Sequence, residues 1–171
     1  MMQMLAAGGM TILSDGERKA DTDNPRGYLE WERIKRLPQE PGCIAEAEGK
    51  VVKVVSRLLL SLPEGHEYRV IFMQRPLPEV LASQEAMMRR RGTAGAGPGN
   101  AIMTSAFVRH LREVDAWLDS KKHMRTLRVG YHDVLNDAAG TAGKLAAFLE
   151  MELDVAEMVR QVDASLYRNR G

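Results

Sequence analysis

Apolar residues recur along this chain in two rhythms, and the rhythms alternate. Tyr68-Arg69-Val70-Ile71-Phe72-Met73 is a nearly continuous apolar run, the pattern of a strand buried on both faces of a parallel sheet. Behind Arg75-Pro76, the positions Leu77, Val80, Leu81, Gln84 and Met88 share one face at helical spacing. Four of those five are apolar, which predicts an amphipathic helix with Pro76 in its first turn. Phe107, Leu111, Val114 and Leu118 step by four, three and four, which predicts a helix over 104–118. Alternation over 125–131 puts Leu127, Val129 and Tyr131 on one face, as in a strand. From Asp133 the helical spacing returns with Leu135, Ala138, Ala142, Leu145 and Leu149, and a short last helix is expected over 155–162.

The first third is less regular. Residues 1–7 predict a helix closed by Gly8-Gly9, and 10–13 a short strand. Residues 14–27 are polar and turn-rich, with Asn24-Pro25-Arg26-Gly27 as a turn. Short helices are expected over 28–37, ending before Pro38, and over 43–48. The valine-rich stretch 50–55 reads as a strand, and Pro63-Glu64-Gly65 as a turn. The glycine-rich stretch 92–99 is either a connector or a lid; no strand leads into it, so it is not a dinucleotide fingerprint. Strands alternating with helices argue for an α/β layer fold with a mainly parallel sheet, in one domain of 171 residues.

Composition narrows the function. Lys and Arg number 24 against 23 Asp and Glu, so no overall field recruits nucleic acid or an anionic membrane. Cys43 is the single cysteine, which excludes an intramolecular disulfide and fits a reducing compartment. The apolar start is too short for a membrane span and lacks the flanks of a signal peptide, so a cytoplasmic protein is expected. His66, His110, His123 and His132 lack metal-ligand spacing, and no metal is expected. The eleven methionines read as core filler, and Trp31 and Trp117 as core.

The segment 68–91 carries the most chemistry. Arg75 leaves the carboxyl end of a parallel strand, where such sheets bind ligands, and the start of the next helix attracts anions through its N–H groups and its dipole. Ser83 follows eight residues later, a little over two helical turns, within reach of an anion held by Arg75. A surface ion pair and a solvated serine are the alternative for this spacing alone.

The run Arg75-Pro76-Leu77-Pro78-Glu79-Val80-Leu81-Ala82-Ser83, after an apolar strand, resembles the 3′-phosphate-binding motif of sulfotransferases that use 3′-phosphoadenylyl sulfate (PAPS). Asn24-Pro25-Arg26-Gly27-Tyr28-Leu29-Glu30 is similar to a segment of bacterial members. Val129-Gly130-Tyr131-His132-Asp133-Val134-Leu135 is similar to the Tyr-Glu-Asp-Leu segment, with His132 in place of its glutamate. Phe148-Leu149-Glu150 and the closing 162–170 also fit, so the resemblance runs collinearly over nearly the whole chain. It implies a P-loop-NTPase-like three-layer α/β fold and PAPS as co-substrate. It further implies a small-molecule, carbohydrate or lipid acceptor with a hydroxyl or amine, and Arg75 and Ser83 on the donor's 3′-phosphate.

The family's glycine-rich loop for the 5′-phosphosulfate has no counterpart in this sequence, and residues 1–9 resemble the helix that follows that loop. The expectation is therefore an amino-terminally truncated domain lacking its first strand. Such a gap leaves ladder groups of the neighbouring strands unpaired. On the acceptor side, Lys53 resembles a lysine that some members place on the transferring group, while Val55 stands where they carry a histidine base. Glu30, or Glu32, is then the candidate base for the acceptor hydroxyl. A degenerate, non-catalytic module of the same fold is the rival reading. A nucleoside-phosphate kinase is disfavoured, since the sequence has no Walker-type loop and no magnesium ligands.

Overall fold

A computed structural model describes residues 1–21, 24–90, 92 and 100–167, apart from the side chains of Asn100 and Leu166. The two apolar runs form strands β1 (Tyr68–Gln74) and β2 (Met124–Gly130), each within a residue of its expected bounds. They pair in parallel along their whole length, Tyr68 opposite Met124 and Gln74 opposite Gly130. Seven helices are described: α1 (Met2–Ala7), α2 (Ser56–Leu59), α3 (Leu77–Arg90), α4 (Asn100–Ser120), α5 (Tyr131–Asn136), α6 (Ala138–Leu149) and α7 (Val155–Arg160). Single 3-10 segments lie at Glu32–Arg36, Pro41–Ala47 and Ala164–Leu166. The result is a mixed α/β fold, a two-stranded parallel sheet flanked by helices.

Alternation along each strand sends side chains to opposite faces. Val70 and Phe72 join Val114 and Leu118 of α4, Leu59 of α2 and the 3-10 segments around Ile34 and Cys43. Ile71, Leu127 and Val129 join Met4 and Leu5 of α1, Val134 of α5, Leu145 and Leu149 of α6 and Met158 of α7. The sheet thus lies between two apolar cores. At the amino end of the second face, Arg69 and Arg125, which are register partners, both bind the Glu150 carboxylate, at 2.6 Å each.

Local chemistry sets the helix ends. Gly9, at φ +100°, closes α1: its N–H bonds Ala6 O at 3.1 Å and Met10 N–H bonds Leu5 O at 3.0 Å, the paired bonds of a Schellman turn. Gly8 lets α7 approach, since a Cβ there would meet Met158 at 2.9 Å. Asp137 separates α5 from α6, its side chain accepting the Gly140 N–H at 2.8 Å, so the expected single helix after Asp133 is two. Asp154 caps α7 on the Glu157 N–H in the same way.

Several expectations are corrected. The helix expected over 28–37 is only the 3-10 segment Glu32–Arg36, because Leu29 takes φ +48° and Asp15, from a distant loop, accepts the Glu32 N–H. The strands expected at 10–13 and 50–55 amount to one parallel bridge, Ile12 to Val51, with Leu13 N–H bonding Val51 O and Val51 N–H bonding Thr11 O, both at 2.9 Å. In α3 the apolar stripe enters neither core; its one fully buried residue is Glu79. Apart from Gly92, the stretch 92–99 lies outside the described residues, as does Arg91. Among the described residues, no helix is long and apolar enough to cross a membrane.

Candidate functional site

The parallel register explains how the site assembles. Gln74 stands opposite Gly130, so the next residue of each segment, Arg75 and Tyr131, emerges side by side at the carboxyl edge of the sheet. The Arg75 guanidinium lies 4.8 Å from the centre of the Tyr131 ring and 5.6 Å from that of Tyr167, distances at which a cation is attracted to the ring face. Arg75 Nε donates to Glu79 Oε2 at 2.9 Å, one helical turn on. The other oxygen, Oε1, accepts from Tyr167 Oη at 2.8 Å and meets His132 Nε2 at 2.9 Å. His132 Nε2 also lies 3.2 Å from Tyr167 Oη.

Glu79 is only 6% exposed, and a buried charge needs such partners. Burial pushes its pKa up. The bonds from Arg75 and Tyr167 and the charges of His132 and Arg75 outweigh that, holding the carboxyl below its ordinary range. Ser83 sits half-buried one turn beyond Glu79, so Arg75, Glu79 and Ser83 follow one another at i, i+4 and i+8. The helix start contributes less than the sequence suggested. Pro78 has no N–H, and the Glu79 and Val80 N–H groups already bond Pro76 O, at 3.0 and 3.2 Å. Anion attraction here rests on the Arg75 side chain.

The acceptor-side candidates also meet. Lys53 Nζ donates to Glu30 Oε1 at 2.9 Å and to Tyr28 O at 3.3 Å. Arg18 Nη1 binds both Glu30 oxygens, at 3.1 and 3.2 Å, and stacks 3.3 Å from the centre of the Tyr28 ring. The segment behind them explains the meeting: Ile12 and Leu13 bond Val51, while Ser14 Oγ donates to Glu30 O at 3.0 Å. Burial raises the Glu30 pKa, but Lys53 and Arg18 together pull it below the ordinary value. The same two cations that fix Glu30 therefore weaken it as a base. Leu29, the residue before it, carries the left-handed backbone, a strain found at functional sites. Glu32 instead pairs with Lys35 one turn along, away from this group.

Among the described residues, no direct hydrogen bond or ion pair joins the Glu30 group to the Arg75 group. One residue ties their supports together. Arg26, in the Asn24–Gly27 turn, donates to Gln161 O at 2.7 Å and to Asp163 Oδ2 at 2.9 Å. Asp163 opens the 3-10 segment that delivers Tyr167 to Glu79.

Glu79, Tyr131 and Tyr167 were not singled out from the sequence. A glutamate in a first helical turn ordinarily faces solvent, and only the strand register and the closing segment reveal this one as buried. A second pair was also missed: Ser56 Oγ lies 2.9 Å from His110 Nε2, between α2 and α4. Among the described residues no group of three His, Cys, Asp or Glu is placed to hold a metal ion.

Both carboxylates give a pH prediction. A folded-state pKa below the unfolded value stabilises the fold above the unfolded value, and that stability is lost as pH falls through the folded one. Thermal unfolding followed by circular dichroism should therefore hold its midpoint down to pH 5 and fall below about pH 4.5. Glu30→Gln should flatten part of that fall. A midpoint that rises on acidification contradicts these ion pairs.

Compared with known proteins, the chain matches no family model, no curated protein and no solved structure.

Proposed function

We propose that this is a sulfotransferase-type protein that takes the 3′-phosphate of PAPS at Arg75 and Ser83 and an acceptor hydroxyl or amine near Glu30 and Lys53. The observation that carries the reading is the setting of Arg75. It leaves the carboxyl end of a parallel strand, flanked by two tyrosine rings and held by a buried carboxylate, where open parallel sheets bind ligands. Ser83, on the same stripe of α3, is the second donor for the phosphate. Helices on both faces of parallel strands suit the P-loop-like three-layer plan that the sequence resemblance implies.

Sulfuryl transfer forms a bond from sulfur to the acceptor oxygen as the bond to the donor's phosphate oxygen breaks, leaving adenosine 3′,5′-bisphosphate. Its demands are positioning and cations at the developing charge, as in phosphoryl transfer. Arg75 and Ser83 would anchor the donor's remote phosphate. Lys53 would set a positive charge beside the transferring group, and Glu30 would take the acceptor proton once the acceptor displaces one of its cations. The 5′-phosphosulfate is assigned to no residue of this chain.

Titration calorimetry tests the reading. Adenosine 3′,5′-bisphosphate should bind at least about tenfold more tightly than adenosine 5′-monophosphate, the worth of one charge-assisted contact. Equal affinity for the two, or a preference for ATP, contradicts it. Transfer of labelled sulfate from PAPS then separates an enzyme from a non-catalytic module, which binds the bisphosphate and transfers nothing.

A further inference from the structure

Glu79 is a buried charged group that the proposed chemistry does not use. Its two oxygens serve different partners: Oε2 takes Arg75 Nε at 2.9 Å, while Oε1 takes Tyr167 Oη at 2.8 Å and His132 Nε2 at 2.9 Å. The carboxylate is thus a bridge between the arginine and the histidine. Resting on the reading of Arg75 as a phosphate ligand, we infer that Glu79 is the positioning residue of Arg75. We infer further that His132, bound to the same carboxylate, ties anion binding at Arg75 to the uptake of a proton.

The orientation follows from the bond pattern. A guanidinium gripped at Nε by a carboxylate that is itself fixed on its other oxygen has its plane defined, and a planar donor in a defined plane loses less freedom on binding a phosphate. The proton coupling follows from the charge sum. Arg75 and Glu79 cancel, so with a neutral imidazole the cluster offers an incoming dianion no net charge. A protonated His132 shares Glu79 with Arg75 and leaves the cluster at plus one. The dianion therefore selects the protonated form, and by linkage its binding draws a proton in.

Among the described residues, three groups face Glu79 and His132. Arg75 comes from the β1–α3 junction, Tyr131 from the start of α5 and Tyr167 from the closing segment. Asp133, the next residue of α5, turns back over Gly130. The Tyr167 hydroxyl lies 3.2 Å from the same imidazole nitrogen and donates to the carboxylate, so it keeps the two aligned in either charge state.

The test is calorimetry of adenosine 3′,5′-bisphosphate at pH 6 and pH 8, each in two buffers of different ionisation enthalpy. Wild type, H132Q and E79Q are compared, with circular dichroism confirming that each is folded. The nucleotide's own protonation is common to all three proteins and cancels in the comparison. Averaged between pH 8 and pH 6, wild type should take up about half a proton more than H132Q, so that its affinity relative to H132Q rises about tenfold over those two pH units. E79Q should lose the coupling and bind with the pH profile of H132Q.

A merely structural Glu79 gives another pattern: binding weakened equally at both pH values, with the proton count of wild type. That result overturns the inference, as does an identical proton count in wild type and H132Q. Should E79Q fail to fold, H132Q alone decides. Should wild type bind no bisphosphate, the donor reading fails, and the comparison is repeated with inorganic phosphate as the probe. Phosphate binding coupled to His132 then sustains the inference without the donor. Uncoupled binding, or none, overturns it.

Discussion

Replacing Arg75 by alanine is expected to weaken binding of adenosine 3′,5′-bisphosphate at least about tenfold, about 1.4 kcal/mol, and to leave adenosine 5′-monophosphate within about twofold. The size follows from what is removed. An arginine half-buried between two rings meets a phosphate in a poorly solvated setting, where charge-assisted hydrogen bonds are roughly twice as strong as neutral ones. The selectivity follows from position: the 5′-phosphate is common to both ligands, so a loss confined to the bisphosphate marks Arg75 as the 3′-phosphate ligand. Truncating Arg75 also leaves Glu79 buried without its main cation, and the protein can lose stability for that reason alone. Arg75→Ala combined with Glu79→Gln removes the stranded charge. The double variant should fold and still show the lost preference, as read by calorimetry.

Leu145→Ala is expected to cost about 2–5 kcal/mol of folding stability, and so to lower the unfolding midpoint by roughly 10 °C for a domain of this size. Leu145 is 0% exposed on α6, in the core that joins α1, α5, α6 and α7 to one face of the sheet. Neighbouring Met158 is as tightly enclosed and Leu149 is also buried, so the cavity has little room to collapse. Ile102→Ala, on α4 at 66% exposure, serves as control and should change stability by less than about 0.5 kcal/mol. Equal effects of the two substitutions contradict the burial of Leu145 in this core and the exposure of Ile102 on α4. The loss should appear as a shifted midpoint in thermal circular dichroism.

The sheet was legible because its signal is local and redundant. Five of the six positions from Tyr68 to Met73 are apolar, and Leu127 with Val129 fixes the phase of the second strand. The step from α5 to α6 was not, because it hangs on one Asp137 side chain that ends one helix and caps the next. The valines at 51, 52, 54 and 55 show the limit of propensity. A β-forming sequence becomes a strand only where a partner backbone lies alongside, and here Val51 finds Ile12 and the pairing goes no further.

The site divides in the same way. For Arg75 and Ser83 the spacing alone favours a surface ion pair and a solvated serine, and the collinear resemblance is what points to a phosphate; Glu30 and Lys53 come from the resemblance alone. That Glu30 and Lys53 form an ion pair, joined by Arg18, depends on the course of residues 12–15 between them. Glu79 was invisible for a different reason. Its burial comes from three segments that are distant in sequence, meeting only because Gln74 pairs with Gly130 and Arg26 holds the closing segment in place. Sequence spacing carries no information about such a meeting.

The account stands on Arg75 as the ligand of a nucleotide 3′-phosphate. The direct measurement is a four-way titration: wild type and the Arg75→Ala/Glu79→Gln variant, each against adenosine 3′,5′-bisphosphate and adenosine 5′-monophosphate. A preference for the bisphosphate of at least about tenfold in wild type, abolished in the variant, is the predicted result. The same preference in both proteins, or none in either, contradicts it.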